Sequence, residues 1–447
     1  MSHALLQAWT KTLRRHGRRR AVVEAANGES CTFDELEARA QAWLTRHASA
    51  PRRLAGCAVV FAAPNGIGWL EIFLALMHAG AVAVPLDAAE PATTQRRMAE
   101  ALRAGFWWDG AQLVPLPRAR RFRDANICFI KLTSGTTGAP RPLVFTAVQL
   151  LADERQVCGT MGLRASDLNY ASIPLGHSYG LGNLTLPLVV RGVPLVVGAA
   201  PLPHAIAVDF AHWRPTVFPS VPAVWRALAA ADVAAEALQS LRRAISAGAP
   251  LPPEVARDFA ARFGRRVHGF YGSSETGGIA YDRSGDATLA GSVGTALRGV
   301  RLTLARGERL RVRSAAVFTQ GNRRPGEWTP PDRVTRDARG RLVLLGRRGS
   351  TVKIAGRRVN LVEIATRLRQ LGGVRDAWVT ASGGPEPMLA AAVASERGAA
   401  ELRAALQADT PPWKIPKRWR VMPEFPLTAR GKTDTAALHA QLLGPRD

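Results

Sequence analysis

The segment Thr133-Ser134-Gly135-Thr136-Thr137-Gly138 directly follows the apolar run Ile127-Cys128-Phe129-Ile130 and precedes Ala139-Pro140-Arg141. A strand that ends in six consecutive small or hydroxyl residues reads as a phosphate loop. Gly135 and Gly138 permit positive φ and let backbone N–H groups approach an anion without a Cβ in the way, while Thr133, Ser134, Thr136 and Thr137 add hydroxyl donors. The loop lacks the Lys-Ser/Thr that closes a G-x-x-x-x-G-K-[ST] motif, and it lacks G-x-G-x-x-G. A nucleotide is therefore handled in another way.

The surrounding chain predicts an α/β protein. From Leu5 to about Leu345, helical patterns alternate with short apolar runs at Cys57–Ala62, Ala81–Pro85, Ile127–Leu132, Val193–Gly198 and Arg266–Phe270. That alternation predicts layered α/β structure with parallel sheets. Leu70–His78 and Pro253–Phe263 carry apolar residues at helical spacing, and Pro252-Pro253 suits a helix start. An alanine-rich helix is expected over Ala227–Leu238. Between Gly291 and Val317, apolar residues alternate with arginines, which predicts a small β subdomain. After Gly346-Arg347-Arg348-Gly349-Ser350 the pattern changes to strand and loop (Thr351–Gly356), helix (Leu361–Leu371), strand (Ala377–Thr380) and helix (Ala399–Ala408). This predicts a compact α+β domain of about a hundred residues. The expected boundaries are 1–346 for the large N-terminal domain and 347–447 for the smaller, mobile one.

The phosphate loop does not stand alone. Thr32-Phe33-Asp34-Glu35-Leu36, Pro64-Asn65, the run from Ala79 to Asp87, and Gly431-Lys432 occur in an order that resembles the AMP-forming adenylating superfamily. Its members are acyl-CoA synthetases, carrier-protein adenylation domains and luciferase-like enzymes. The resemblance covers nearly the whole chain, with gaps around residues 88–120 and 383–400. It implies an ATP-dependent acid:thiol ligase that first makes acyl-AMP and pyrophosphate, then transfers the acyl group to a thiol.

The resemblance also implies roles for particular residues. Thr133 to Gly138, Arg141 and Ser274 would meet the ATP phosphates, although Arg141-Pro142 replaces the family's Lys-Gly. Tyr271 and Gly272, with Gly248-Ala249-Pro250, would line adenine. Glu275 would hold Mg²⁺, a hard cation that needs oxygen ligands. Asp332 and Arg347 would hold the ribose, with Pro330-Pro331 before the aspartate in place of the usual Thr-Gly. Lys432, in Pro426-Leu427-Thr428-Ala429-Arg430-Gly431-Lys432, would stabilise charge developing on the phosphoryl oxygens and the leaving pyrophosphate. His177 would gate the path between carboxylate and acceptor. Gly349 would be the hinge, and Gly356 would line a pantetheine tunnel after the small domain rotates.

The acid itself is narrowed by one absence in the sequence. No aspartate occurs between His177 and Leu188, where amino-acid-activating relatives hold the substrate ammonium, so a fatty or aromatic acid is expected. CoA is the expected acceptor, with the phosphopantetheine of an acidic acyl carrier protein as the alternative. The net charge of +25 comes almost entirely from arginine, clustered at Arg14–Arg20 and residues 118–123. Such a surface attracts polyanions. No nucleic-acid-binding signature accompanies it, so no specific nucleic acid is expected as a partner. Cys31, Cys57, Cys128 and Cys158 lie far apart in apolar segments, as buried free thiols do, and no apolar run is long enough to span a bilayer. These features predict a cytoplasmic protein. The rival reading is a noncatalytic nucleotide-binding protein on the same scaffold.

Overall fold

The computed structural model describes residues 4–48, 50–134, 140–200, 202–305, 308–318, 324–347, 351–383, 386–426 and 434–444. The chain divides into two compact units. Met1–Ala88, Ala99–Lys131 and Pro142–Arg347 make the larger; Ala89–Met98, Leu132–Arg141 and Arg348–Asp447 make the smaller.

Among the described residues, the larger unit is built on three sheets. The first has nine strands, and its centre is parallel: Arg20–Glu24, Leu195–Val197, Asn169–Ala171, Val217–Ser220, Arg243–Ser246 and Val267–Ser273 run side by side. Antiparallel strands close both edges. A second sheet of six strands contains Ala58–Ala62, Val82–Leu86, Phe106–Trp108 and Ile127–Ser134, all parallel. Strands buried on both faces read as continuous apolar runs, which is why these segments were legible as strands. The third sheet is antiparallel and includes Arg301–Ala305, Arg309–Arg313, Asp332–Arg336 and Leu342–Arg347. It is the β subdomain expected from the alternation with arginines.

Helices cover the sheets. Ile67–His78 buries nearly its whole circumference, whereas Pro253–Phe263 buries Val255, Ala256, Phe259 and Phe263 along one stripe. The expected helix over Ala227–Leu238 is not continuous. Pro222–Ala230 ends at Ala231, which has ψ 151°, and a short 3₁₀ turn follows at Ala235–Leu238. The Arg262 guanidinium donates to Ala229 O at 3.1 Å and to Val233 O at 2.9 Å, taking carbonyls that a continuing helix would use itself. Val233 is buried at this break. Tertiary contacts thus override a favourable alanine propensity.

In the smaller unit, the hairpin Thr351–Ile354/Arg357–Asn360 is followed by a three-stranded sheet of Val374–Ala381, Leu389–Ser395 and Arg418–Met422. Helices Leu361–Arg369 and Ala399–Gln407 bury Ile364, Leu368, Leu402 and Leu406 in its core. The segment Ala89–Met98 belongs to this unit through polar bonds. Thr94 Oγ1 donates to Asp409 O at 3.1 Å, and Arg97 pairs with the Asp409 carboxylate at 2.7 Å. Lys414 Nζ, on a buried side chain, lies 3.1 Å from Glu363 and 3.6 Å from Glu90. Buried charges persist when paired in this way. No helix among the described residues is long and apolar enough to cross a membrane. All four cysteines are buried and free.

Candidate active site

Parallel strands deliver their carboxyl ends to one edge of a sheet, and that edge is where open α/β sheets place ligands. Three neighbouring strands, Val217–Ser220, Arg243–Ser246 and Val267–Ser273, run parallel in register, and the third continues four residues past the ends of the other two. Gly248-Ala249-Pro250 leaves the second of these, and Tyr271-Gly272-Ser273 closes the third. Ser274, Glu275 and Thr276 form the turn into the antiparallel strand Gly277–Tyr281.

Tyr271 and Asp332 are both buried, and the Tyr271 hydroxyl donates to Asp332 Oδ2 at 2.8 Å. Asp332 opens its strand directly after Pro331, a position where proline costs the ladder nothing. Its backbone pairs in register with Arg347. Tyr271 and Asp332, expected at adenine and ribose, are thus brought together, and the backbone of Arg347 lies beside that of Asp332. The phenol fixes one carboxylate oxygen of Asp332, so the Pro-Pro approach does not leave that side chain undirected.

Glu275 is buried at 8% exposure in its turn. Its carbonyl accepts from Phe318 N at 3.0 Å, and the Ser273 and Thr276 hydroxyls lie 3.0 Å apart beneath it. A single buried carboxylate is the donor set that suits Mg²⁺ held mainly by substrate phosphates, because Mg²⁺ keeps oxygen ligands from water and phosphate. Among the described residues no group of three or more His, Cys, Asp or Glu side chains is placed to hold a metal ion.

His177 is exposed and begins the short helix Ser178–Gly180. Its neighbour Tyr179 does work that sequence reasoning missed. The Tyr179 hydroxyl sits 3.0 Å from Ile245 O and 3.2 Å from Ser220 O, bracing the His177 segment against two of the three strand ends. Asn65 acts from the other side: its Nδ2 donates to Ile173 O at 2.8 Å and its Oδ1 accepts from Leu175 N at 2.9 Å. A tyrosine two residues after a candidate histidine was visible, but nothing local marked its partners.

Other expected residues fall in the smaller unit. Thr133 Oγ1 donates to Arg141 O across the hairpin at 3.4 Å, and Arg141 is exposed. Gly356 occupies the two-residue turn Ala355-Gly356 between paired Ile354 and Arg357, with φ 46° and 80° at the two positions. A turn of this kind needs positive φ at both central residues, so the hairpin itself favours glycine at this position whatever else it does. Gly135, Thr136, Thr137, Gly138, Gly349 and Lys432 lie outside the described residues. Ser134 and Arg347 are placed as strand residues.

Residues 106–316 match the family of AMP-binding enzymes. The benzoate–CoA ligase of Thauera aromatica is 29% identical over 343 residues, which are 69% of this chain and 65% of that protein. The aligned part thus spans just under two thirds of that relative's length. The feruloyl-CoA synthase of an Amycolatopsis species is 26% identical over 92% of this chain and 94% of its own. Among solved structures, a double mutant of o-succinylbenzoate CoA synthetase from Bacillus subtilis superposes with a TM-score of 0.82 at 18% identity, covering 97% of this chain and 98% of that one. This likeness bears out the α/β fold class. Residues 106–316 thus match the AMP-binding enzyme family, and the chain is similar to CoA ligases and synthases in sequence and to an adenylate-forming enzyme in fold.

Proposed function

We propose that this protein is an ATP-dependent acid:CoA ligase for an aromatic acid. The observation that supports the reading is the Tyr271–Asp332 bond at the end of the strand that leads into the Glu275 turn, with two buried carboxylates suited to ribose and to a phosphate-bound cation. Asp332 accepts from the ribose hydroxyls, a task for a charged acceptor. Ser274 and the residues from Thr133 to Gly138, with Arg141, bind the phosphates. Mg²⁺, when bound, offsets charge on the phosphates, and Glu275 is the residue that would hold it. The carboxylate of the acid attacks the α-phosphorus, the bond to pyrophosphate breaks, and Lys432 stabilises the developing negative charge without exchanging a proton. The 347–447 domain then pivots at Gly349, so that Gly356 faces the incoming thiol. The thiol loses its proton to solvent, its sulfur bonds to the acyl carbon, and the acyl carbon–oxygen bond to AMP breaks as AMP leaves.

The relatives named as benzoate– and feruloyl-CoA enzymes support an aromatic acid over a fatty one. The net charge of +25 favours testing a second acceptor, an acidic acyl carrier protein. Pyrophosphate exchange with a panel of benzoates, hydroxycinnamates and fatty acids, followed by transfer to CoA or to a loaded carrier, tests the reading. Absence of exchange with every acid in the panel would instead support the noncatalytic reading.

A further inference from the structure

Lys131 stands where the strand leading into the phosphate loop is buried on both faces, directly after Cys128, Phe129 and Ile130. Such a strand calls for an apolar residue. Lys131 is only 5% exposed, and among the described residues its Nζ makes no hydrogen bond. Instead the ammonium lies 4.3 Å from the centroid of the Phe145 ring, within the range of a cation–π contact.

Two buried carboxylates share its surroundings. Asp153, on the helix Ala147–Met161, is 3% exposed, and its Oδ1 accepts from Gly278 N at 2.9 Å. A Cβ on Gly277, at φ 68°, would lie 2.2 Å from that same oxygen. Asp153 therefore pins the first two residues after the Ser274–Thr276 turn. Glu275 is the second carboxylate, and both act electrostatically on Lys131. Burial pulls the Lys131 amine below its usual range and pushes the Asp153 carboxyl above its own, while the opposite charge of each partner works against that.

We propose that Lys131 is a positioning residue for adenylation: the buried counter-cation that keeps Asp153 and the Glu275 turn in place behind the phosphates. Packing alone does not account for it, because apolar side chains of similar volume serve a buried site as well as an ion pair does or better. What the ammonium adds is a positive charge near two buried carboxylates, one of them the proposed Mg²⁺ holder. Without it, two buried carboxylates lose a nearby positive charge, and the turn relaxes. This inference rests on the adenylation reading.

Lys131→Met, Asp153→Asn and the double variant Lys131→Met/Asp153→Asn test it beside the unaltered protein. Asparagine keeps an oxygen for Gly278 N–H while removing the charge. Calorimetric binding of Mg·ATP without acid is one readout; the Mg²⁺ concentration for half-maximal pyrophosphate exchange at saturating ATP is the other. Lys131→Met is expected to weaken Mg·ATP binding and raise the Mg²⁺ requirement about tenfold or more, with less effect on kcat, and the double variant to recover most of the loss. Unchanged binding in Lys131→Met overturns the proposal, and so does a double variant as impaired as the single one. If Lys131→Met fails to fold, normal folding and binding by the double variant upholds the proposal and their failure overturns it. Loss of exchange in the unaltered protein sinks the ligase reading, whereas the binding measurements still decide the role of Lys131.

Discussion

The Tyr271 phenol donates to Asp332 Oδ2 at 2.8 Å across a separation of 61 residues, and both side chains are buried. One bond therefore couples the end of the third parallel strand to the first residue of a strand in the β subdomain. Tyr271→Phe removes the donor while leaving the acceptor enclosed. It is expected to cost about 1–2 kcal/mol of ATP binding, seen as a higher KM for ATP in pyrophosphate exchange with kcat little changed. Asp332→Asn is expected to cost more, since the ribose loses a charged acceptor. A KM for ATP unaffected by either change would remove Asp332 from the ribose site.

Lys432 is expected to serve adenylation alone. Lys432→Ala removes a charge that matters only while negative charge builds on the phosphoryl oxygens, a loss of about 2–4 kcal/mol in the transition state. Thioester formation from preformed acyl-AMP should continue at the normal rate. Single-turnover measurement of both halves checks this, and an equal loss in each would discard the assignment.

Gly356 carries two demands that one substitution confounds. Its φ of 80° belongs to the hairpin turn, so Gly356→Leu would strain the fold by about 1 kcal/mol or more whether or not a thiol passes nearby. Asparagine tolerates left-handed backbone far better than leucine. Gly356→Asn should therefore keep the melting temperature close to that of the unaltered protein and keep pyrophosphate release, yet slow transfer to the thiol. Normal transfer by this variant would place the pantetheine path elsewhere.

A stability prediction comes from Glu37. Burial alone would raise its pKa, but hydrogen bonds from His78, Trp9 and Gln41 hold it down at about 2. The Trp9 indole donates at 2.7 Å and His78 Nε2 lies 3.0 Å from the same oxygen. A depressed folded-state pKa contributes stability that is complete above the ordinary value of 4.5 and lost as pH falls towards 2. Glu37→Gln should cost about 1–3 kcal/mol at pH 7 by chemical denaturation, and the gap should narrow steadily below pH 4.5. A gap that stays constant down to pH 3 would show that the ionised form is not what Trp9, His78 and Gln41 hold.

Local chemistry along the chain was enough to identify the helix Pro253–Phe263, whose proline start and apolar stripe lie within a single element. It was also enough for the buried parallel strands, because periodicity and composition are properties of neighbours in sequence. The break after Ala230 was not legible, since the group that ends the helix is Arg262 on another helix. Nor was the grouping of Ala89–Met98 with the smaller unit, which depends on Thr94 and Arg97 reaching Asp409. Tyr271, Asp332 and Lys131 could each be read as residues, but their partners could not. Hydrogen bonds and buried charges act over a few ångströms of space, and only the folded chain decides which distant residues fall within that range.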